Sequence, residues 1–207
     1  MSRSDNALNA TSTSPPVVLE ALRCATGPAH DKLDAAFGSL DLTRKDDLAR
    51  FLRGHATGMA AIFAPFRAFV AGELDLSCPD YPAALRADLT ELGEDTTTLP
   101  RISSPWLAAD GAALGLAYVV AGSRLGLAML RKRGYHGQSA GLRSRYMEDE
   151  SGIGIWRALL AHMRAAELDD AHIAAACTAA RDTFTCFAEA FDASARSGER
   201  IVEPDAA

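Results

Sequence analysis

From Val17 to Phe37 the apolar residues Val18, Leu19, Leu22, Ala25, Ala29, Leu33 and Phe37 recur at threes and fours, the spacing of an amphipathic helix. Pro15 and Pro16 suit its start, because the first turn leaves N–H groups unpaired and proline simply lacks one. A second stripe, Leu48, Phe51, Leu52, His55, Met59, Ile62, Phe63, Phe66 and Val70, predicts a long helix that continues past Gly54 and Gly58 and kinks at Pro65. Thr43 is its expected N-cap, with Asp46 and Asp47 in the first turn, where the helix dipole favours negative charge. A shorter helix is predicted over 81–92, capped by Asp80 and stopped by Gly93, then a loop over 94–108. Further helices are predicted over 109–133, 142–150, 153–166 and from Asp169 or Asp170 to Ala195. No stretch alternates like a strand. The fold class is therefore all-α, a single-domain bundle of about seven helices over 15–196. An N-terminal tail, 1–14, is too polar to offset its ordering entropy and is expected to be disordered, and the C-terminal tail, 197–207, to be solvated.

Composition narrows the function classes. The 207 residues are 48% apolar, enough for one domain that buries about 70% of its unfolded surface. Twenty-one basic against 27 acidic residues give a net charge of −6, the wrong sign for a protein that coats nucleic acid or anionic lipid. Cys24, Cys78, Cys177 and Cys186 are far apart and form no CxxC, which excludes a zinc ribbon and disfavours a disulfide framework. The N-terminal segment has no apolar signal core, so the expected location is the reducing cytoplasm.

One segment breaks helix rules. Between Asp110 and Arg131, GAALGLAYVVAGSRLGLAML holds four glycines and a single charge, Arg124. Each mid-helix glycine costs about 1 kcal/mol relative to alanine. A membrane span is disfavoured by Arg124 and by the lack of a second span. Two readings remain. Either the glycines permit close helix–helix packing, or Gly122 and Gly126, four apart on one face, bare the backbone for a flat ligand, with Ser123 supplying a hydroxyl. The segment alone does not separate them.

Motifs exclude more than they assign. There is no HExxH or ExxH, which disfavours zincin and di-iron chemistry, and no GxSxG, Walker loop or GxGxxG. His55 lies in an apolar stripe and reads as a hydrogen-bonded core histidine; His136, His162 and His172 read as solvated. His30 differs. Gly27 lies one turn before it, Leu33 and Phe37 after it, and Arg23 two turns earlier on the same side. A neutral imidazole beside an apolar surface can bind haem iron, and an arginine nearby can meet the propionates. On these residues alone, a partly buried structural histidine is the better reading.

LRCATGPAHDKL (22–33), followed by YVVAGSRLG (118–126) and by RDTFTCFAEAF towards the C-terminus, resembles the haem oxygenase family. It looks most like the bacterial biliverdin-forming branch associated with bacteriophytochromes. The match runs over roughly 17–195. The resemblance implies a haem oxygenase-like bundle that uses haem as both substrate and cofactor. His30 would be the proximal iron ligand, Arg23 a propionate contact and Phe184 a further haem-contacting residue. Gly122, Ser123 and Gly126 would form the catalytic distal segment, with ordered water near Ser123 delivering protons. Family members take molecular oxygen and electrons from an external donor, a ferredoxin or reductase, and release biliverdin, iron and carbon monoxide. A bacteriophytochrome is the implied acceptor of the biliverdin.

The chain departs from the family at several places. Ser123 stands where mammalian-type enzymes have aspartate, Leu127 where many members have a second glycine, and Ala121 where glutamate is common. Arg124 and Leu127 are expected to narrow the distal pocket or redirect ring attack. Arg131, Lys132, Arg133 and Arg157 are candidates for a second propionate partner. A haem-binding sensor or carrier without turnover, or a thiamin-degrading or quinone-making relative on the same scaffold, are the alternative functions.

Overall fold

The computed structural model describes residues 16–133 and 140–198 and holds, among them, seven α-helices and no strand. They are α1 (Val17–Gly38), α2 (Lys45–Glu73), α3 (Tyr81–Glu91), α4 (Ala112–Lys132), α5 (Arg145–Glu148), α6 (Gly152–Ala165) and α7 (Asp170–Gly198). Single turns of 3-10 helix, Thr96–Thr98 and Pro105–Ala108, occupy the predicted loop before α4. The N-terminal tail, the residues after 198 and His136 lie outside the described residues.

Helix ends follow local chemistry. Asp80 accepts from Ala83 N at 2.9 Å and caps α3, and Gly93 ends that segment at φ +79°. Thr43 does not cap α2. Its amide and hydroxyl both donate to Asp41 Oδ1, at 3.0 and 2.6 Å, so a side-chain turn centred on Asp41 uses it up and Arg44 takes the N-cap position. Gly111, left-handed at φ +79°, delays the start of α4 to Ala112.

The bundle is built around α7, against which α1, α2 and α4 all pack. On α2, a Cβ at Gly58 would lie 2.6 Å from the Phe187 ring and one at Gly54 3.2 Å from that of Phe191, so these glycines make room for α7 aromatics. Phe37 of α1 closes the same layer, its ring centroid 5.1 Å from Phe51 and 4.8 Å from Phe191. His30 meets Phe184 as Phe37 meets Phe191, so α1 and α7 run in the same direction. At Gly115 a Cβ would lie 2.0 Å from the Ala176 carbonyl oxygen, so α4 crosses α7 with main chain against main chain.

Behind α4, the buried Asp88 of α3 accepts from Ser144 Oγ at 2.7 Å and from the amides of Arg145 and Tyr146 at 2.9 and 3.0 Å. A carboxylate satisfying the first N–H groups of α5 fixes that short helix, which could not stand alone. Among the described residues α4 is the helix long and apolar enough to cross a bilayer, but it is packed on α2, α6 and α7 as a core helix is.

Gly115→Ala should lower stability by about 3 kcal/mol, because a backbone carbonyl cannot swing away as a side-chain end can. Urea midpoints check this. A loss of a few tenths of a kcal/mol would mean that the crossing is looser than described.

Candidate functional site

His30 lies on α1. The His30 side chain keeps 56% of its surface exposed, and its Nδ1 lies 3.4 Å from Oδ2 of Asp34, one turn on. Its ring meets Phe184 of α7 edge-on, centroids 5.8 Å apart at 67°. With Nδ1 facing a carboxylate, Nε2 has no hydrogen bond among the described residues and is the nitrogen available to a ligand. A Cβ at Gly27 would meet nothing within 4 Å, and Arg23 is exposed without an ion pair among the described residues. The face running Arg23–Gly27–His30 is thus open. Asp34 was not singled out in the sequence, although its spacing of four from His30 was the available signal.

Along α4 the glycines divide. Gly111 and Gly115 are pressed on α7, a Cβ at Gly111 lying 3.1 Å from that of Ala175. Gly122 has only the Trp156 ring, at an ordinary 3.6 Å, and Gly126 has nothing within 4 Å. Close packing therefore accounts for the first pair and not for the second. Leu125 and Met129, 40% and 52% exposed, flank the bare stretch with apolar surface. Ser123 Oγ donates to Val120 O at 2.8 Å, which spends its proton on its own helix and leaves lone pairs to accept.

The expectation that Arg124 and Leu127 narrow this side is overturned. Residue 124 lies about 200° around the helix from both glycines, on the core face. Leu127 is 4% exposed and Arg124 2%. The Arg124 guanidinium lies over the rings of both Tyr81 and Tyr146, 4.6 and 4.7 Å from their centroids. Its Nη2 donates to Tyr146 O at 2.7 Å and to Asp149 O and Oδ2, both at 3.2 Å. Arg131 is likewise committed, donating to Met147 O and to Asp149 O, the latter at 3.1 Å, and leaves the set of propionate candidates. Lys132, Arg133 and Arg157 are exposed. Nothing in the spacing of Tyr81, Tyr146 or Asp149 announced them as partners of Arg124.

His55 is a core histidine, as read from its stripe. Its Nδ1 donates to Phe51 O at 2.9 Å, and Phe37, Phe51, Tyr146 and Phe187 surround the ring. Burial, aided by the Arg124 charge and opposed by the Phe51 hydrogen bond, pushes its pKa down to about 4. Cys177 and Cys186 are buried and Cys24 is exposed. Among the described residues no three His, Cys, Asp or Glu side chains converge as a metal site.

The bundle thus carries an open imidazole on α1 and bare glycines on α4, two helices that both pack on α7. No family model and no curated protein matches the sequence. The structure is similar to that of the haem oxygenase from Neisseria meningitidis, solved with NO and CO bound, at a TM-score of 0.64 and 22% identity, over 91% of this chain and 94% of that one. The fold is thus the all-α haem oxygenase fold.

A histidine with a lowered pKa stays neutral in the folded chain while the unfolded chain takes up its proton. Stability should therefore fall between pH 6.5 and about 4, by about 3 kcal/mol, and this part of the loss should vanish in His55→Phe. Urea titrations at several pH values measure it; equal slopes in both proteins would mean His55 is solvated.

Proposed function

We propose that this protein is a haem oxygenase of the bacterial biliverdin-forming branch, which converts haem, with molecular oxygen and external electrons, to biliverdin, iron and carbon monoxide. The observation that carries this reading is the division of the α4 glycines. Gly126, which costs helix stability and makes room for no protein atom, is explained by a flat ligand laid against bare backbone. The open Arg23–Gly27–His30 face of α1 supports it, and so does the fold.

The residues present fit a haem. His30 offers Nε2 to the iron, while Asp34 at Nδ1 orients the imidazole and strengthens it as a donor. Phe184 fixes the ring from its edge. Arg23 supplies an always-charged fork for a propionate. Haem itself supplies an iron that activates oxygen and the ring carbon that is oxidised. Gly122 and Gly126 keep side chains out of the distal space. Ser123 Oγ accepts a hydrogen bond from water and so holds a proton donor there. Electrons come from a ferredoxin or reductase, and the biliverdin serves a bacteriophytochrome in the cytoplasm.

Titration with hemin should give a one-to-one complex whose Soret band is lost or strongly weakened in His30→Ala. Ascorbate under air should then replace that band with the broad red absorption of biliverdin. A stable ferrous oxygenated spectrum instead would make the protein a haem carrier or sensor, and no Soret band at all would remove haem from its function.

Gly126 gives a sharper test, because stability and activity should move in opposite directions. Gly126→Ala should stabilise the haem-free chain by up to about 1 kcal/mol. Gly126→Leu should still bind hemin but degrade it about tenfold more slowly or worse, a barrier rise of about 1.4 kcal/mol. Unchanged turnover in Gly126→Leu would show that this face does not meet the macrocycle.

A further inference from the structure

We propose that Arg124 is a positioning residue: from the buried back of α4 it sets the rotation of that helix, and hence which way the bare face at Gly122 and Gly126 points. The inference rests on the haem reading above for its consequence, and on the packing of the haem-free chain for its cause.

Burying a guanidinium costs several kcal/mol, so an arginine in place of an apolar residue is poorly explained by stability. What it provides is direction. From Ala112 to Leu130 the remaining side chains of α4 are apolar apart from Ser123 and the Tyr118 hydroxyl, and apolar contacts are non-directional. Rotating the helix by one residue position would exchange one small or aliphatic side chain for another. Arg124 removes that freedom. Its Nη2 must reach Tyr146 O, Asp149 O and Asp149 Oδ2 together while the guanidinium stays over two tyrosine rings. A single helix rotation satisfies all five partners, and in that rotation 122 and 126 point away from the core.

The partners are themselves fixed. Tyr146 and the start of α5 are held by Asp88 of α3. The Arg124 slot exists because residue 152 is glycine; a Cβ there would lie 2.5 Å from Arg124 Cγ and 2.9 Å from both Arg124 Nε and the Tyr81 hydroxyl. From Tyr146 the contact continues to His55, centroids 5.4 Å apart, and from His55 to Phe37 of α1 at 4.6 Å. Phe37 lies two turns after His30 on the same side of α1. α1 and α4 are thereby both referenced to one buried cluster. His55, neutral down to about pH 4, adds no charge that would repel the guanidinium.

The test uses the full chain and two readouts. In the ferrous CO complex, Arg124→Lys and Gly152→Ala should each shift or split the C–O stretching band while hemin still binds one-to-one. In the haem-free chain on a Trp106→Phe background, the same changes should shift the emission of Trp156, whose ring touches Gly122. Arg53→Met, which breaks the partly buried pair with Glu94 elsewhere, serves as the control for general destabilisation and should move neither. Gly152→Ala displaces Arg124 without removing its charge, so it decides the matter if Arg124→Lys does not fold. Both readouts unchanged, with only a stability loss like that of Arg53→Met, would overturn the proposal. Absence of a Soret band in the unsubstituted chain would instead overturn the haem reading, and Trp156 emission alone would then decide whether Arg124 sets the helix.

Discussion

The crossing of α4 over α7 at Gly115 governs the geometry of everything that follows it. Main chain lies on main chain there, a separation that no residue with a Cβ could reach. Such contact holds α4 against the central helix at one end. Beyond it the helix passes to α6, where Trp156 is the nearest neighbour of Gly122, and then stands clear at Gly126. One helix thereby carries two kinds of glycine, which look the same in the chain and serve opposite ends: contact in the first pair, vacant space in the second.

Polar groups in this bundle are used for direction more than for strength. Asp88 gathers the amides that begin α5, and Arg124 and Arg131 gather the carbonyls that end it. A helix of four residues has almost no intrinsic stability, so its position is set wholly by these side chains from α3 and α4. Tyr146, carried by α5, then reaches His55 and links α4 to the α1–α2 layer. The expectation that Arg124 sits in the ligand space failed because sequence adjacency to Gly122 and Gly126 says nothing of helix face until the angular offset is counted.

The His30 neighbourhood shows a different limit. Its spacing from Gly27 and Arg23 was visible along the chain, yet the same spacing suits a buried structural histidine. In the fold half of the side chain is exposed, its Nδ1 faces Asp34, and Phe184 arrives from a helix more than 150 residues later. The candidate residues of α1 and α4 are similarly far apart in the chain, and both helices pack on α7.

Periodicity alone determined the helices, their order and most of their ends, because a stripe at threes and fours has few alternatives in a chain without alternating segments. Local chemistry also fixed the Asp80 cap and the Gly93 stop, whose partners lie within a few residues. The Thr43 cap failed for the same local reason, a nearer competitor in Asp41. Only the tertiary structure decided which glycines touch protein, which face Arg124 takes and whether His30 is free. Those depend on the angle and distance at which helices distant in sequence cross, and no periodicity within one helix encodes its neighbour.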